Sequence, residues 1–345
     1  MIYGHGNDAY KYDKAIKADF SSNVWYEGPS PALTEHLKDR VGIVDHYPEP
    51  DGGALKEKIA EFHKVSPDNC LVANGSVEAF YLVALAYQPA KSVIATPCFS
   101  EYEDACTIHN HIIEFVSNSK GWVNQNFGNA IVWFGNPNNP DGKVIPPKVL
   151  AKMLEQNPAA TFLVDEAYGS LCSDFQSAVS LIKRFPNLLI VRSFTKNFAV
   201  PGLRLGYLLG NPELIDRLNN LKMPWTVNSL ALEAGMYIMD HYQQLMPDKS
   251  KVERTSKAFQ SQLKELEDML TVIPSDCNYC LVKLNGPYAG KLKQFLVDEY
   301  GVLIRDASNF RGLDEHYIRL AVQSPEHNEL LIKGLKEGLR RMDNA

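Results

Sequence analysis

The sequence predicts an α/β fold: a mostly parallel central sheet with helices on both faces, joined to a smaller α+β domain. Three observations carry this. Five short apolar runs lie between residues 70 and 200, helical segments separate several of them, and each run stops at polar or charged residues. The runs are Cys70-Leu71-Val72-Ala73, Ser92-Val93-Ile94-Ala95, Ala130-Ile131-Val132-Trp133-Phe134, Thr161-Phe162-Leu163-Val164 and Leu188-Leu189-Ile190-Val191. Each has strand length and is rich in branched or aromatic residues. They lack the polar alternation of a half-exposed strand, so both faces are expected to be buried. Ser76 to Tyr87 and Pro147 to Gln156 read as helices between them. Strand alternating with helix is the pattern of a parallel sheet built from crossover units.

The run ends are chemically distinctive. They are Asn74-Gly75-Ser76, Thr96-Pro97, Gly135-Asn136-Pro137-Asn138-Asn139-Pro140, Asp165-Glu166-Ala167-Tyr168 and Ser193-Phe194-Thr195-Lys196. Open α/β sheets bind ligands beyond the carboxyl ends of their strands, so these segments are expected to converge on one crevice. Polar turns account for Asn-Pro and Gly. They do not account for Asp165 or Lys196 directly after apolar runs.

Pro247 marks the expected boundary of a second unit, because proline suits a helix start and not its interior. A helical stripe follows with Val252, Phe259, Leu263, Leu266 and Leu270. Strand-like segments lie around Cys280 to Leu284 and Tyr317 to Val322, and a terminal helix carries Leu331, Leu335, Leu339 and Met342. The large domain is thus expected over 45–245. The small one takes 246–345 together with 1–44, which hold little periodic structure and are expected to pack on it. There is no internal repeat and no low-complexity segment.

At 345 residues, with 45% apolar and 22% charged side chains, the chain has the balance of a soluble globular protein. Its 35 basic and 41 acidic side chains give a net charge of −6, which disfavours a general nucleic-acid binder. No apolar run nears the 18 or so residues of a membrane span; Phe80 to Tyr87 is among the longest. Met1-Ile2-Tyr3-Gly4-His5 has neither a basic nor an apolar leader region, so no secretion signal is expected there. A cytoplasmic location is the expectation that follows. Of the six cysteines, most sit in apolar stretches, as buried thiols do, and reduced thiols are the default. Cys277-Asn278-Tyr279-Cys280 is a lone C-x-x-C in a strand-like segment whose i and i+3 positions face opposite ways. No metal site is expected from it.

The chemistry centres on Lys196. A lysine at a strand end inside a crevice suits a Schiff base, because desolvation frees the amine. Arg204 follows in Pro201-Gly202-Leu203-Arg204-Leu205-Gly206-Tyr207, and a guanidinium suits bidentate phosphate binding. Ser193 adds a hydroxyl. Asn74-Gly75-Ser76 ends a strand and opens a helix, which offers N–H groups to an anion. One crevice therefore gathers an amine, a phosphate cradle and a carboxylate.

This set resembles the class I/II aminotransferase family of pyridoxal-phosphate enzymes (fold type I) over nearly the whole chain. The matching motifs are Asn136-Pro137-Asn138-Asn139-Pro140-Asp141-Gly142, Asp165-Glu166-Ala167-Tyr168 and Ser193-Phe194-Thr195-Lys196 with Gly202-Leu203-Arg204-Leu205-Gly206-Tyr207. Each alone is weak; their order and spacing make them specific. The resemblance implies pyridoxal 5'-phosphate, held by Lys196 as a Schiff base, with Lys196 also moving the α-proton. It implies that Asp165 pairs with the pyridine nitrogen, and that Asn139 and Tyr168 bond the ring's phenolic oxygen. Gly75, Ser76, Ser193 and Arg204 would bind the phosphate, and Phe99 would stack on the ring. Tyr47, in His46-Tyr47-Pro48, matches a tyrosine that reaches the phosphate from the other subunit, which implies a homodimer with shared sites.

On the substrate side the resemblance points to Arg319 as the carboxylate-binding arginine. Arg305 lies fourteen positions earlier, and two arginines suit a substrate with two anionic groups. The alternative for Arg305 is a pair with Asp306 or with a glutamate nearby. The chain looks like the branch holding histidinol-phosphate aminotransferase and threonine-phosphate decarboxylase. Gly4-His5-Gly6, Asp19-Phe20-Ser21-Ser22-Asn23, Phe99-Ser100-Glu101-Tyr102-Glu103 and Asn309-Phe310-Arg311-Gly312-Leu313 lean to the decarboxylase, and by that likeness His5 and Asn23 line the substrate pocket. Trp25 and Tyr26 depart from the decarboxylase pattern and Val77 from the aminotransferase one. The expectation is an aminotransferase acting on a small phosphorylated amino acid or amino alcohol. The alternative is decarboxylation of threonine phosphate.

Rival classes fail on particulars. Ser193-Phe194-Thr195-Lys196 fits S-x-x-K, but the S-D-N and K-T-G elements of that acyl-transfer chemistry do not occur. Gly4-His5-Gly6 begins a glycine fingerprint, but no strand precedes it. A catalytically dead relative finds no support, since Lys196, Asp165, Tyr168 and Arg204 are all present.

Overall fold

A computed structural model describes residues 5–119, 121–286 and 288–343. Met1 to Gly4, which open the Gly4-His5-Gly6 motif, lie outside them. The strands in chain order are β1 (Ala18–Asp19), β2 (Cys70–Ala73), β3 (Lys91–Thr96), β4 (Ile112–Ser117), β5 (Ile131–Gly135), β6 (Thr161–Asp165), β7 (Leu188–Ser193), β8 (Gly206–Leu209), β9 (Leu270–Ile273), β10 (Tyr279–Leu284), β11 (Val302–Leu303), β12 (Arg305–Asp306) and β13 (Tyr317–Ala321). The helices are α1 (Pro31–Asp39), α2 (Gly53–His63), α3 (Gly75–Ala86), α4 (Glu101–Ile108), α5 (Pro147–Gln156), α6 (Pro212–Asn219), α7 (Ser229–Asp240), α8 (Tyr242–Leu245), α9 (Lys249–Lys264), α10 (Ala289–Tyr300) and α11 (Pro325–Asp343).

A seven-stranded sheet runs β2-β8-β7-β6-β5-β3-β4. Strands β7, β6, β5, β3 and β4 pair in parallel, while β8 is antiparallel to both β2 and β7. The expected α/β architecture is what forms. Each predicted run buries alternate residues on opposite faces. In β5, Val132 and Phe134 join the core under α2, α5 and α7, while Ile131 and Trp133 join the core under α3, α4 and α6. In β7, Leu188 and Ile190 go one way, Leu189 and Val191 the other. Helices on both faces remove water from both sides, so no polar alternation survives in these strands.

Two strands of this sheet escape the reading of apolar runs. β4 is an edge strand whose Ile112 is 75% exposed, so its Ile-Ile-Glu-Phe-Val-Ser does not read as doubly buried. β8 is four residues long and begins inside the Gly206 motif.

The second sheet is antiparallel, ordered β12-β13-β10-β9, and α9, α10 and α11 close its core. Strand β10 starts at Tyr279, two residues later than the Cys277 to Leu284 strand read from sequence; Cys277 instead makes an isolated antiparallel backbone pairing with Cys172, and both thiols are free. Cys280 faces the small core and Cys277 a separate cluster with Tyr168 and Tyr279. Among the described residues no cluster of His, Cys, Asp and Glu could hold a metal, and no helix is long and apolar enough to cross a membrane.

Residues 1–44 need a correction. They contain β1, which pairs in parallel with β11, and the helix α1. Ala18 and Phe20 pack on the small core as expected, but Leu33 and Leu37 of α1 pack on the large one. A short amphipathic helix is stable only against an apolar partner, and α7 supplies it.

Behind the large sheet, His63 at the end of α2 meets Tyr207 Oη at 2.9 Å. Burial, then the nearby Arg192, hold the imidazole neutral, with its pKa lowered from 6.5 to about 3. The unfolded chain takes up a proton that the native state refuses, so stability falls as pH drops from about 6.5 toward 3. Urea unfolding at pH 7.5 and 5.0 checks this: His63→Gln should lose less stability between them, by up to ~2 kcal/mol.

Candidate active site

The carboxyl ends of β2, β3, β5, β6 and β7 open on one cleft of about 240 Å³, walled on its far side by β12, β13 and the chain around His5 and Asn23. That volume suits a small molecule. Every predicted site residue except Gly75 and Tyr47 lines it. Gly75 lies behind Arg204, at the start of α3. Tyr47 is 87% exposed and stacks loosely on Trp225, at 5.5 Å.

Asp165 ends β6 fully inside the protein. Its Oδ1 accepts the Ala167 N–H at 3.0 Å and its Oδ2 accepts the Tyr102 hydroxyl at 2.7 Å. Burial raises its pKa to about 6 against the pull of these donors and of Lys196. Lys196 follows β7; its Nζ lies 5.7 Å over the Tyr168 ring, and its carbonyl accepts the Trp25 N–H at 3.0 Å. Tyr168 meets Tyr279 edge-on at 4.9 Å.

The asparagine-rich loop after β5 is closed by its own side chains. Asn136 clamps Ile145 through both ends of its amide, at 2.7 and 3.0 Å. Asn138 donates to Asp141 at 2.7 Å and to the Pro97 carbonyl at 3.0 Å. Asn139 is left facing the cleft, where its Oδ1 accepts from Arg319 Nη1 at 2.5 Å.

The start of α3 forms the third wall. Gly75 has φ +77°, a left-handed conformation that favours glycine. A Cβ there would stand 2.5 Å from Arg204 Nη2, so the missing side chain makes room for the guanidinium. Gly206 is equally constrained, since a Cβ there would meet the Ser76 nitrogen at 2.8 Å. Ser76, Ser193 and Arg204 thus gather at a helix N terminus, an anion-binding arrangement. Phe99 lies at the edge, 5.9 Å from both the Tyr102 and His5 rings.

Arg305 and Arg319 are 6% and 5% exposed. Arg305 donates to the Asp306 backbone carbonyl and to Asn309 Oδ1 at 2.7 Å, and its guanidinium lies 5.0 Å over the Phe310 ring. The alternative of a pair with the Asp306 carboxylate is therefore set aside; that carboxylate accepts the Ser308 N–H instead. Burial and the neighbouring Arg319 lower the pKa of Arg305 to about 10, so both arginines stay charged at neutral pH. Arg319 also donates to the Ser21 carbonyl at 2.6 Å. Its Nε and both amide ends of the wholly buried Asn23 have no hydrogen-bond partner among the described residues. His5 Nε2 lies 2.9 Å from Glu101 Oε1, which fixes the ring at the cleft mouth.

Several contributors were not foreseen. Tyr102 and Asn309 appeared only inside quoted motifs. Glu166, given no role from sequence, turns to the opposite face from Asp165 and pairs with the largely buried side chain of Arg192, 11% exposed, at 2.9 Å, also accepting from Ser177 and Ala178. The two-residue period of a strand could have assigned that split; no local signal identifies Arg192 as the partner.

The aminotransferase class I and II family model matches residues 15–335. The chain belongs to that family and is a pyridoxal-phosphate-dependent enzyme. It is 38% identical to the L-threonine-O-3-phosphate decarboxylase of Porphyromonas gingivalis, whose crystal structure superimposes with a TM-score of 0.90 over 93% of this chain and 99% of that one. It is 32% identical to histidinol-phosphate aminotransferase 2 of Carboxydothermus hydrogenoformans, over 92% of this chain and 89% of that protein. It is 28% identical to the threonine-phosphate decarboxylase of Salmonella typhimurium, over 93% and 91%.

The site fits the cofactor. The unpartnered Asn23 amide and Arg319 Nε leave polar groups free for a polar molecule in the cleft, and the Gly75–Arg204 cradle suits the cofactor's phosphate. Gly75→Ala should push the guanidinium aside. Titration of the apoprotein with pyridoxal phosphate should then give an affinity about tenfold weaker, the loss of one charged hydrogen bond. Unchanged affinity would remove the cradle from the phosphate site.

Proposed function

We propose that this chain removes the carboxyl group of a small phosphorylated amino acid of the L-threonine O-3-phosphate type. The pair of buried arginines carries the reading. Arg305 and Arg319 stand in one cleft, and their hydrogen bonds go to carbonyl and amide oxygens. Each guanidinium suits one carboxylate or phosphate, so a substrate with both groups neutralises the pair at once. Histidinol phosphate has no carboxylate and would leave one cation uncompensated. The likeness to the Porphyromonas decarboxylase supports loss of the carboxyl group over transfer of the amine. Transamination, favoured by sequence alone, keeps the support of the Carboxydothermus relative. There the arginines would serve a phosphate and a keto acid in turn.

When bound, the cofactor supplies a ring that takes up the electron pair left on the substrate's α-carbon. Lys196 holds the cofactor and delivers, through Nζ, the proton that replaces the lost carboxyl group. The Asp165 carboxylate accepts the hydrogen bond of the ring nitrogen. Asn139 and Tyr168 would hydrogen-bond the phenolic oxygen, and Phe99 would stack on the ring. Gly75, Ser76, Ser193 and Arg204 bind the cofactor's phosphate. Arg319 orients the substrate carboxylate and Arg305 its phosphate, with Asn23 and His5 beside them. Carbon dioxide leaves, and a phosphorylated amino alcohol remains.

The same reading includes a homodimer. Val44 and Tyr47 are exposed beside Trp225, and a second copy over this face would bring Tyr47 to the partner's phosphate site. It also includes the division into 45–245 and 1–44 with 246–345, with α1 of the first segment packed on the large core and the cleft between the two sheets.

O-phospho-L-threonine added to the cofactor-loaded protein should release carbon dioxide in equal amount to the amino-alcohol phosphate. Absence of carbon dioxide, with amino exchange between histidinol phosphate and a keto acid, would establish transamination instead. Arg305→Ala should raise KM for the phosphorylated substrate roughly ten- to a hundredfold and leave its dephospho analogue unaffected. Lys196→Ala should abolish turnover.

A further inference from the structure

We propose that Tyr102 is a positioning residue whose phenol fixes the Asp165 carboxylate toward the cofactor's ring nitrogen. This rests on the reading of Asp165 as the partner of that nitrogen. Tyr102 sits in the first turn of α4 and is 1% exposed. Its hydroxyl donates to Asp165 Oδ2 at 2.7 Å, while the Ala167 N–H holds Oδ1 at 3.0 Å. With one donor on each oxygen the carboxylate cannot rotate, and one lone pair of each oxygen stays free for the ring.

The phenol is itself locked. Phe80 stands edge-on at 5.0 Å, Phe99 edge-on at 5.9 Å, and Trp133 stacks at 6.4 Å. A cage of this composition would hold phenylalanine equally well, so packing does not explain the hydroxyl. Burial and the Asp165 charge push its ionisation well above the ordinary range, and it remains a donor. The other ionisable groups near the carboxylate are Lys196, beyond β7, and Glu166, whose own charge is engaged by Arg192. A phenol donor lowers the basicity of the carboxylate, so the shared proton resides on the ring nitrogen. Without it, the proton shifts toward Asp165 and the ring becomes a poorer electron acceptor.

The test uses holoenzyme loaded with cofactor labelled with nitrogen-15 in the ring. Tyr102→Phe should move the nitrogen resonance toward its unprotonated position at fixed pH. It should lower kcat about tenfold or more with little change in KM, the loss of one hydrogen bond to a charged group. Asp165→Asn is the control. If it moves the resonance and Tyr102→Phe does not, the proposal is overturned while the Asp165 reading stands. If Asp165→Asn also leaves the resonance in place, the Asp165 reading fails and the proposal with it. Should Tyr102→Phe not fold, the wild-type protein carries the test. The carbon-13 resonance of a ζ-labelled Tyr102 should move when the ring nitrogen of the cofactor is replaced by carbon, and an unmoved resonance overturns the proposal.

Discussion

A carboxylate buried at the end of the central strand constrains everything around it. Asp165 lies where both faces of the sheet are closed by helices, and an isolated charge there is costly. It persists because the Ala167 N–H and the Tyr102 hydroxyl each hold one oxygen and because Lys196 is near. Each of these has a structural requirement of its own. The N–H needs the turn after β6, the hydroxyl needs α4 packed over β3 and β5, and the lysine needs β7 beside β6 in register. The parallel order of β5, β6 and β7 is therefore the arrangement that lets one negative charge survive out of water.

The same logic explains why the neighbouring glutamate is harmless. Glu166 leaves the strand on the other face, where Arg192, Ser177 and the Ala178 N–H satisfy it. Two adjacent carboxylates end up with separate partners. One is fully committed and structural; the other keeps lone pairs in reserve. The strand's two-residue period makes that separation automatic.

Most of the large sheet was legible because double burial writes itself into sequence as unbroken apolar runs. Cys70–Ala73 and Pro147–Gln156 have the bounds that were read, and the polar ends of the five runs do meet. β4 was lost because an exposed edge does not demand apolar residues on both faces, and β8 because it is short and glycine-led. The packing of α1 was misjudged because its apolar stripe, Leu33 and Leu37, says that a partner exists but not which core supplies it. Within the site, residues in motifs were visible, whereas Tyr102 and Arg192 act across 63 and 26 positions of chain. No local pattern carries such a pairing.

The two arginines present the opposite electrostatic problem to Asp165. Arg319 lies close enough to lower the proton affinity of Arg305, and among the described residues their hydrogen bonds go to neutral oxygens: Asn139, Asn309, and the Ser21 and Asp306 carbonyls. A carboxylate within reach would have stabilised the empty cleft more, but it would also have competed with an anionic substrate for the same forks. Neutral acceptors orient a guanidinium without cancelling its charge. Apart from Asp165, the acids nearest the cleft lie toward its mouth, where Glu101 holds His5 and Glu103 grips Arg311. Acid at the mouth and cations met by neutral acceptors within give a cleft that holds its walls together by charge without cancelling the charge of its arginines.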